Sequence, residues 1–311
     1  MSRRPIILDC DPGQDDAIAI LLALAAPEEL EILALTTVGG NVPLRLTEWN
    51  ARRILALAGR SEIPVHAGCP RPLIRDLETA EYVHGVTGLD GAVLPDPAAP
   101  LAPGHAVDAI IDIVMGRPER SVTLCPTGPL TNVAMALRKE PRLAERLAEI
   151  VLMGGAIELG NVTPAAEFNI YVDPHAADIV FRSGIPITMF GLDVTHKVLV
   201  TEPRLKAIAA IGTPVAVASA GLLDFYNRFD RERYAQPGGP LHDPCVIAHL
   251  IDPTLFSGKA CPVAVEREGA CAGRTLVDWW NMHGHPANAM VMKDVDDDRF
   301  FSLLTSRLAR L

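Results

Sequence analysis

Residues 9–16 read "DCDPGQDD" and set four carboxylates, Asp9, Asp11, Asp15 and Asp16, between the apolar stretches "PIIL" and "AIAILLAL". Carboxylates this close repel one another, and in a partly desolvated site some of them stay protonated. A bound hard cation removes the repulsion. Ca²⁺ gathers about six to eight oxygens from carboxylates, carbonyls and water, whereas Mg²⁺ keeps more of its own water. No Cys/His cluster lies nearby, which disfavours zinc. A plainer account covers part of the pattern. Asp11-Pro12 suits a turn, and Asp15 with Asp16 suits the positive end of a helix. That account explains two of the acids more comfortably than four.

Two further stretches carry polar groups with chemical potential. In "LHDPCVIAHL", Asp243-Pro244 is a good helix start, a cap followed by proline at the first helical position. The stretch "YVDPHAADIV" repeats that start at Asp173-Pro174, so only the preceding His242 sets the first apart. In "AAEFNIYVDP", Glu167 and Asn169 flank Phe168. A carboxylate and an amide can hold sugar hydroxyls, which both donate and accept, or they can cap the loop before Asp173.

The elements that must position these groups alternate. "PIILD", "LEILALTTV", "IPVHAG", "SVTLCPTG", "EIVLMGG" and "IPITMFGLD" read as strands, with helix-like segments between most of them. Strands apolar on both faces imply a mostly parallel open sheet, Rossmann-like, with helices on both sides. Ligands in such α/β sheets bind beyond the carboxyl ends of the strands. "DCDPGQDD", "VGGN", "CPTGPLTN", "LMGG" and "GLD" all fall there. The last third differs. It predicts two helices over 201–229, another at "DPCVIAHLI", a β-hairpin from Lys259 to Asp278 and a terminal helix from Asp294. Residues 69–104 form a long loop, and such loops are usually functional or mobile. The expected organisation is a single domain over residues 1–311, with a helical and hairpin C-terminal appendage.

At 311 residues and 49% hydrophobic, the chain can build a large core. A net charge of −10 without a Lys/Arg block argues against nucleic acid or an anionic membrane surface as partner. No apolar run of about 18 residues suggests a membrane span. Six cysteines without a CxxC pair read as free thiols of a reducing compartment, and "MSRRPIILDCD" reads as a first strand and not a signal peptide. A cytoplasmic protein is the expectation.

Taken together, "DCDPGQDDAIAI", "TTVGGN", "PTGPLTNVA", "VLMGGA", "GNVTPAAEFNIYVDPHAA" and "HDPCVIA" resemble the inosine–uridine-preferring nucleoside hydrolases, in family order over roughly residues 5–250. "GRTLVDWW" and "PANAMVMKDVDDDRFFSLL" resemble the family's C-terminal pattern. The resemblance implies a Ca²⁺-dependent N-ribohydrolase acting on ribonucleosides. It implies Asp11, Asp16 and Asp243 as carboxylate ligands and Thr127 as a main-chain carbonyl ligand. It implies Asp11 as the general base toward a Ca²⁺-activated water, and an oxocarbenium-like transition state. Asp15, Asn41, Asn161, Glu167 and Asn169 would hold the ribose. His242 would be the acid for the departing base, with His84, Phe168, Tyr226, Arg233 and Tyr234 around that base. The resemblance also implies a homotetramer or homodimer and a role in nucleoside salvage.

Two rivals remain at this stage. A haloacid-dehalogenase-like phosphatase would use Asp9-Cys10-Asp11 as a D-x-D motif, but Pro12-Gly13 and Asp15-Asp16 do not continue that pattern. A non-catalytic nucleoside- or ribose-binding protein would need the sugar contacts without Asp11 as a base.

Overall fold

The structure, a computed structural model, describes residues 3–311, apart from the side chain of Tyr234. Ten strands occur among the described residues. They are β1 (Arg4–Cys10), β2 (Leu30–Thr37), β3 (Val65–Ala67), β4 (Val122–Pro126), β5 (Leu147–Met153), β6 (Ile187–Phe190), β7 (Phe256–Cys261), β8 (Val263–Val265), β9 (Thr275–Val277) and β10 (Ala289–Val295). Eight form one sheet in the order β3-β2-β1-β4-β5-β6-β10-β7. Every pairing in it is parallel except β10 with β7. The expected α/β architecture with a mostly parallel sheet is therefore what the chain adopts.

β1 shows why. Side chains alternate across a strand. Ile6 and Leu8 enter the core on one face and Ile7 the core on the other, all fully buried. The first face is covered by helices Gln14–Leu24, Leu44–Leu57, Pro244–Ile251 and Asp297–Leu308. The second is covered by Ala106–Met115, Thr131–Lys139 and Pro174–Phe181. Helix Gln14–Leu24 is buried along its whole length, which matches its apolar composition on all sides.

From β1 the sheet grows one way through β2 and β3 and the other way through β4, β5 and β6. The reversal puts a crevice between the carboxyl ends of β1 and β4, where ligands of open α/β sheets bind. Asp9 pairs with Pro126, and the Thr127 N–H donates to the Asp9 carbonyl at 2.8 Å. The residues just beyond, Asp11 and Thr127, are thus delivered side by side from segments far apart in sequence.

The C-terminal third departs from expectation. The hairpin is shorter than the predicted Lys259–Asp278 and consists of β8 and β9. Residues before Pro262 belong instead to β7, at the edge of the main sheet. Pro262 has no N–H for a ladder, so the extended chain breaks there, and β7 before it and β8 after it join different sheets. β10, not anticipated as a strand, inserts between β6 and β7. The terminal helix then begins at Asp297 and not Asp294, with the Asp296 carboxylate accepting from the Arg299 N–H at 3.1 Å. The long loop 69–104 is largely irregular, as expected, but carries a short helix, Glu81–His84, and is pinned by Asn50, whose amide donates to the Thr87 carbonyl at 2.8 Å. All six cysteines are free thiols; four are buried, Cys69 is half-buried and Cys271 is exposed.

Candidate active site

The four acids of the opening motif take different places. Asp9 still lies on β1, where its Oδ1 accepts from the Thr36 hydroxyl (2.6 Å) and the Asn132 amide (2.8 Å). Asn132 in turn donates to the Thr37 carbonyl and accepts from the Cys69 N–H. Asp9 therefore ties β1, β2 and helix Thr131–Lys139 together. Burial pushes its carboxyl up to about 7, against the pull of those two hydrogen bonds. Asp11 lies past the strand end. Its Oδ2 accepts from the Asn41 N–H at 2.7 Å, while Oδ1 is buried without a partner. The backbone closes on it tightly: a Cβ at Gly40 would lie 2.0 Å from Oδ2, and one at Gly128 would lie 2.5 Å from Oδ1.

Asp16 is both a helix-start acid and a member of the cluster. It accepts from the Gly13 N–H (3.1 Å) and the Thr127 hydroxyl (2.8 Å). Asp243, at the start of helix Pro244–Ile251, arrives from the far end of the chain. It makes no side-chain cap there; its carboxyl contacts those of Asp15 and Asp16. Asp15, Asp16 and Asp243 each offer an oxygen within 4.8 Å of the others. Burial first, and then mutual repulsion, pushes Asp11 and Asp243 well above the usual carboxylate range and Asp15 up to about 7. Burial pushes Asp16 up to about 6, held back by its hydrogen bonds.

These residues fit a hard divalent cation. All donors are oxygens, the carboxylates contact one another, and the Oδ1 atoms of Asp11 and Asp15 are buried without partners. Asp15, expected on the sugar, joins the close triad, whereas Asp11 stands outside it. The Thr127 carbonyl accepts from the Asn169 amide at 2.8 Å, so any further contact uses its second lone pair.

Above the acids opens a cavity of about 360 Å³, within the range of small-molecule sites. Asp15, Asn41, Thr127, His242 and Asp243 line it, whereas Asp11 and Asp16 are fully buried and outside the lining. Asn161, Glu167, Phe168 and Asn169 also line it, supplied by the loop that leads into the short helix Phe168–Val172. Glu167 caps that helix: its carboxylate accepts from the N–H groups of Gly155, Asn169 and Ile170 at 2.8–3.2 Å. The Asn161 side-chain oxygen accepts from the Phe168 N–H, which leaves its amide hydrogens free to donate. Asn169 uses its amide hydrogens on Thr127 and Met153, which leaves its oxygen free to accept.

His84 and Tyr226 also line the cavity, stacked with centroids 5.7 Å apart. His84 Nδ1 meets the Gln14 side-chain oxygen at 2.7 Å, while the Gln14 amide donates to the His84 carbonyl. That pairing makes Nδ1 the protonated nitrogen. Burial lowers the His84 pKa to about 3, so the ring is neutral. His242 is fixed by its Nδ1 contact with the Thr195 hydroxyl at 2.7 Å, and its ring lies 5.5 Å from that of His196. Arg233 stands outside the lining, over the Phe229 ring at 6.0 Å. Tyr234 ends helix Pro214–Tyr234, and its side chain lies outside the described residues.

The sequence reading missed His196, and in the stretch 224–236, which it offered for stacking, it named Tyr226, Arg233 and Tyr234 but not the wall residues Phe229, Asp230 and Gln236. His196 had a signal, since it follows the carboxyl end of β6 by six residues. Asp230 shares a helix face with Tyr226, four residues earlier. It also missed Gly40 and Gly128, whose bare backbones make room for Asp11.

Comparison with known proteins is consistent across sequence and structure. Residues 6–302 match the family model described as inosine-uridine preferring nucleoside hydrolase. The pyrimidine-specific ribonucleoside hydrolase RihA of Photobacterium profundum is 52% identical over 308 residues, covering 98% of this chain and 99% of that protein. An uncharacterized protein of Schizosaccharomyces pombe is 47% identical with the same coverage. Among solved structures, the purine-preferring ribonucleoside hydrolase from Gardnerella vaginalis superposes with a TM-score of 0.92 at 36% identity, covering 98% of each chain. The plant nucleoside hydrolase PpNRh1 gives 0.91 at 36% identity, covering 99% of each.

Proposed function

The chain belongs to the inosine-uridine preferring nucleoside hydrolases, enzymes that cleave the N-glycosidic bond of ribonucleosides, and from that premise we propose which substrates it takes and how its residues act. The preferred substrates are pyrimidine ribonucleosides, supported by relatives near 50% identity that carry the name pyrimidine-specific. The observation that carries the site assignment is the cavity itself. Its lining combines a cluster of carboxylates and amides with aromatic rings. A ribonucleoside offers the matching groups, a polyhydroxylated ring and a flat base.

Asp15, Asp16 and Asp243, with Asp11 and the Thr127 carbonyl beside them, would hold Ca²⁺. When bound, the ion supplies the positive charge the cluster lacks, a seat for sugar hydroxyls and a more acidic water. The chain's own residues do the rest. The Asn161 amide donates to a ribose hydroxyl and the Asn169 oxygen accepts from another. Gripping the ring at several points favours the flattened, cationic sugar of the transition state over the ground state. Asp11 takes the proton of the attacking water at Oδ1, the oxygen that the fold leaves without a partner. Its other oxygen stays clamped by the Asn41 N–H, which fixes the carboxylate plane. Thr195 orients the His242 ring, and from its free nitrogen a hydrogen bond to the departing base disperses the charge that builds there.

Ribose release decides the reading. Purified protein incubated with each common ribonucleoside should release reducing sugar, fastest from pyrimidine nucleosides, and a strong calcium chelator should stop it. Binding without sugar release would leave the non-catalytic alternative standing. Chelator-insensitive hydrolysis would remove the cation from the account. The phosphatase rival loses its footing with the family match, which covers residues 6–302.

A further inference from the structure

One acid in the cavity wall has no task in this account. Asp230 lines the cavity near the end of helix Pro214–Tyr234, the helix that also supplies Tyr226 and Phe229. No side-chain donor or cation pairs with its carboxylate among the described residues, although Arg231 next to it pairs with Glu202 and Asp224. A negative charge in the last turn of a helix faces the negative end of the helix dipole, where cations are favoured. Arg231 and Arg233 in the last turn follow that preference; Asp230 lies just before that turn, so the dipole does not account for it. Burial pushes its carboxyl up to about 6, with nothing opposing. A half-buried acid in the cavity lining with no side-chain partner in the protein calls for one from the ligand.

The surroundings keep the carboxylate available. Gly239 packs against it, where a Cβ would lie 3.3 Å from Oδ2. The Gly239 segment is itself anchored: its N–H donates to the Asn227 side chain at 2.8 Å, and Asn227 donates to the Val200 carbonyl at 2.9 Å. Tyr226 lies within electrostatic reach of both Asp15 and Asp230, whose charges add to the effect of burial on its hydroxyl.

We propose that Asp230 is a specificity-determining residue whose carboxylate accepts a hydrogen bond from an exocyclic amine on the base, selecting amino-bearing over oxo-bearing pyrimidines. An ionised carboxylate is acceptor-only. It matches the amino group at the cytosine 4-position, the same pairing by which acidic side chains read cytosine in nucleic acids. It repels the carbonyl oxygen that uracil presents at that position.

This inference rests on the nucleoside hydrolase reading, and one experiment separates the two. kcat/KM for cytidine and for uridine is measured with the wild type, Asp230→Asn and Asp230→Ala, with circular dichroism to verify folding. The wild type should favour cytidine. Asparagine keeps the shape but can turn an N–H toward a carbonyl. It should lower kcat/KM for cytidine by about tenfold, the scale of one hydrogen bond to a charged group, and raise it for uridine, reversing the preference. Alanine should abolish the preference. Ribose release with a cytidine-to-uridine ratio unchanged in both variants would overturn the assignment of Asp230 alone. No ribose release from any nucleoside by the wild type would overturn the functional reading and this inference with it.

Discussion

At Asp11 the two carboxylate oxygens meet different surroundings, one clamped by the Asn41 N–H and the other buried without a partner. Asp11→Asn keeps the clamp, because the amide oxygen can still accept, but removes the charge. Turnover should fall by about 10²–10⁴-fold, the usual worth of a general base. In excess chelator, melting temperature should move the other way. With no cation to offset it, a cluster of buried like charges destabilises the fold, so the variant should melt higher than the wild type. A lower melting point in chelator would mean that Asp11 is held by something other than this cluster. His84 supports a pH test. Its pKa falls from 6.5 to about 3 because burial excludes the charged ring. The unfolded chain therefore binds more protons between those values, and the His84 contribution to stability declines as pH falls from about 6.5 toward 3. His84→Gln cannot titrate. Its stability deficit against the wild type, read from urea midpoints at pH 7 and pH 5, should be smaller at pH 5. The acids were legible because four carboxylates after a strand are hard to explain without a ligand. His196, Asp230 and Gln236 were not, since they come together only where separate loops and a helix end close over the cavity.

The strand ends at β1 and β4 do the positioning, and they tolerate little at the adjoining turns. A methyl group at Gly128 would lie 2.5 Å from Asp11 Oδ1 and 3.1 Å from a Val38 side-chain carbon. Gly128→Ala should leave the sheet folded and cut kcat by at least tenfold, because displacements of about 1 Å at a reacting group cost on the order of 100-fold. Wild-type activity in this variant would show that the Asp11 position is not critical. The parallel βα rhythm was readable from strands apolar on both faces, and so was the crevice at their carboxyl ends. The C-terminal elements were harder. Pro262 splits one extended stretch between two sheets, and β10 combines an exposed Met290 with buried Val291 and Met292 behind a loop rich in polar and aromatic residues. Which sheet such a strand joins depends on the edge left open by β6, a fact of tertiary structure. Helix phase was similarly half-informative. Tyr226, Asp230 and Arg233 recur at helical spacing on one face, but only the fold sets where along it the cavity ends.

Seen at the size of the whole molecule, the core lies on both faces of the sheet and most of the thiols are sealed within it. Cys10, Cys125, Cys245 and Cys261 are buried, and burial first, then the charges of Asp9 and Asp173, pushes the half-buried Cys69 up to about 12. A thiol reagent at neutral pH should therefore modify one group quickly, Cys271, and reach all six only after denaturation. Two fast groups in the native protein would reveal an opening of the 69–104 loop. No helix among the described residues is long and apolar enough to cross a membrane, in line with the composition.

The place of β10 in the sheet has a consequence for how the chain is made. It lies between β6 and β7, so β7 has no partner in the main sheet, and β6 keeps a bare edge, until translation has passed Val295. A ribosome carrying the first 280 residues therefore holds an unfinished platform whose open border invites mispairing. Nascent chains stalled before β10 emerges should depend on chaperones and resist native collapse, and emergence of Ala289–Val295 should trigger it.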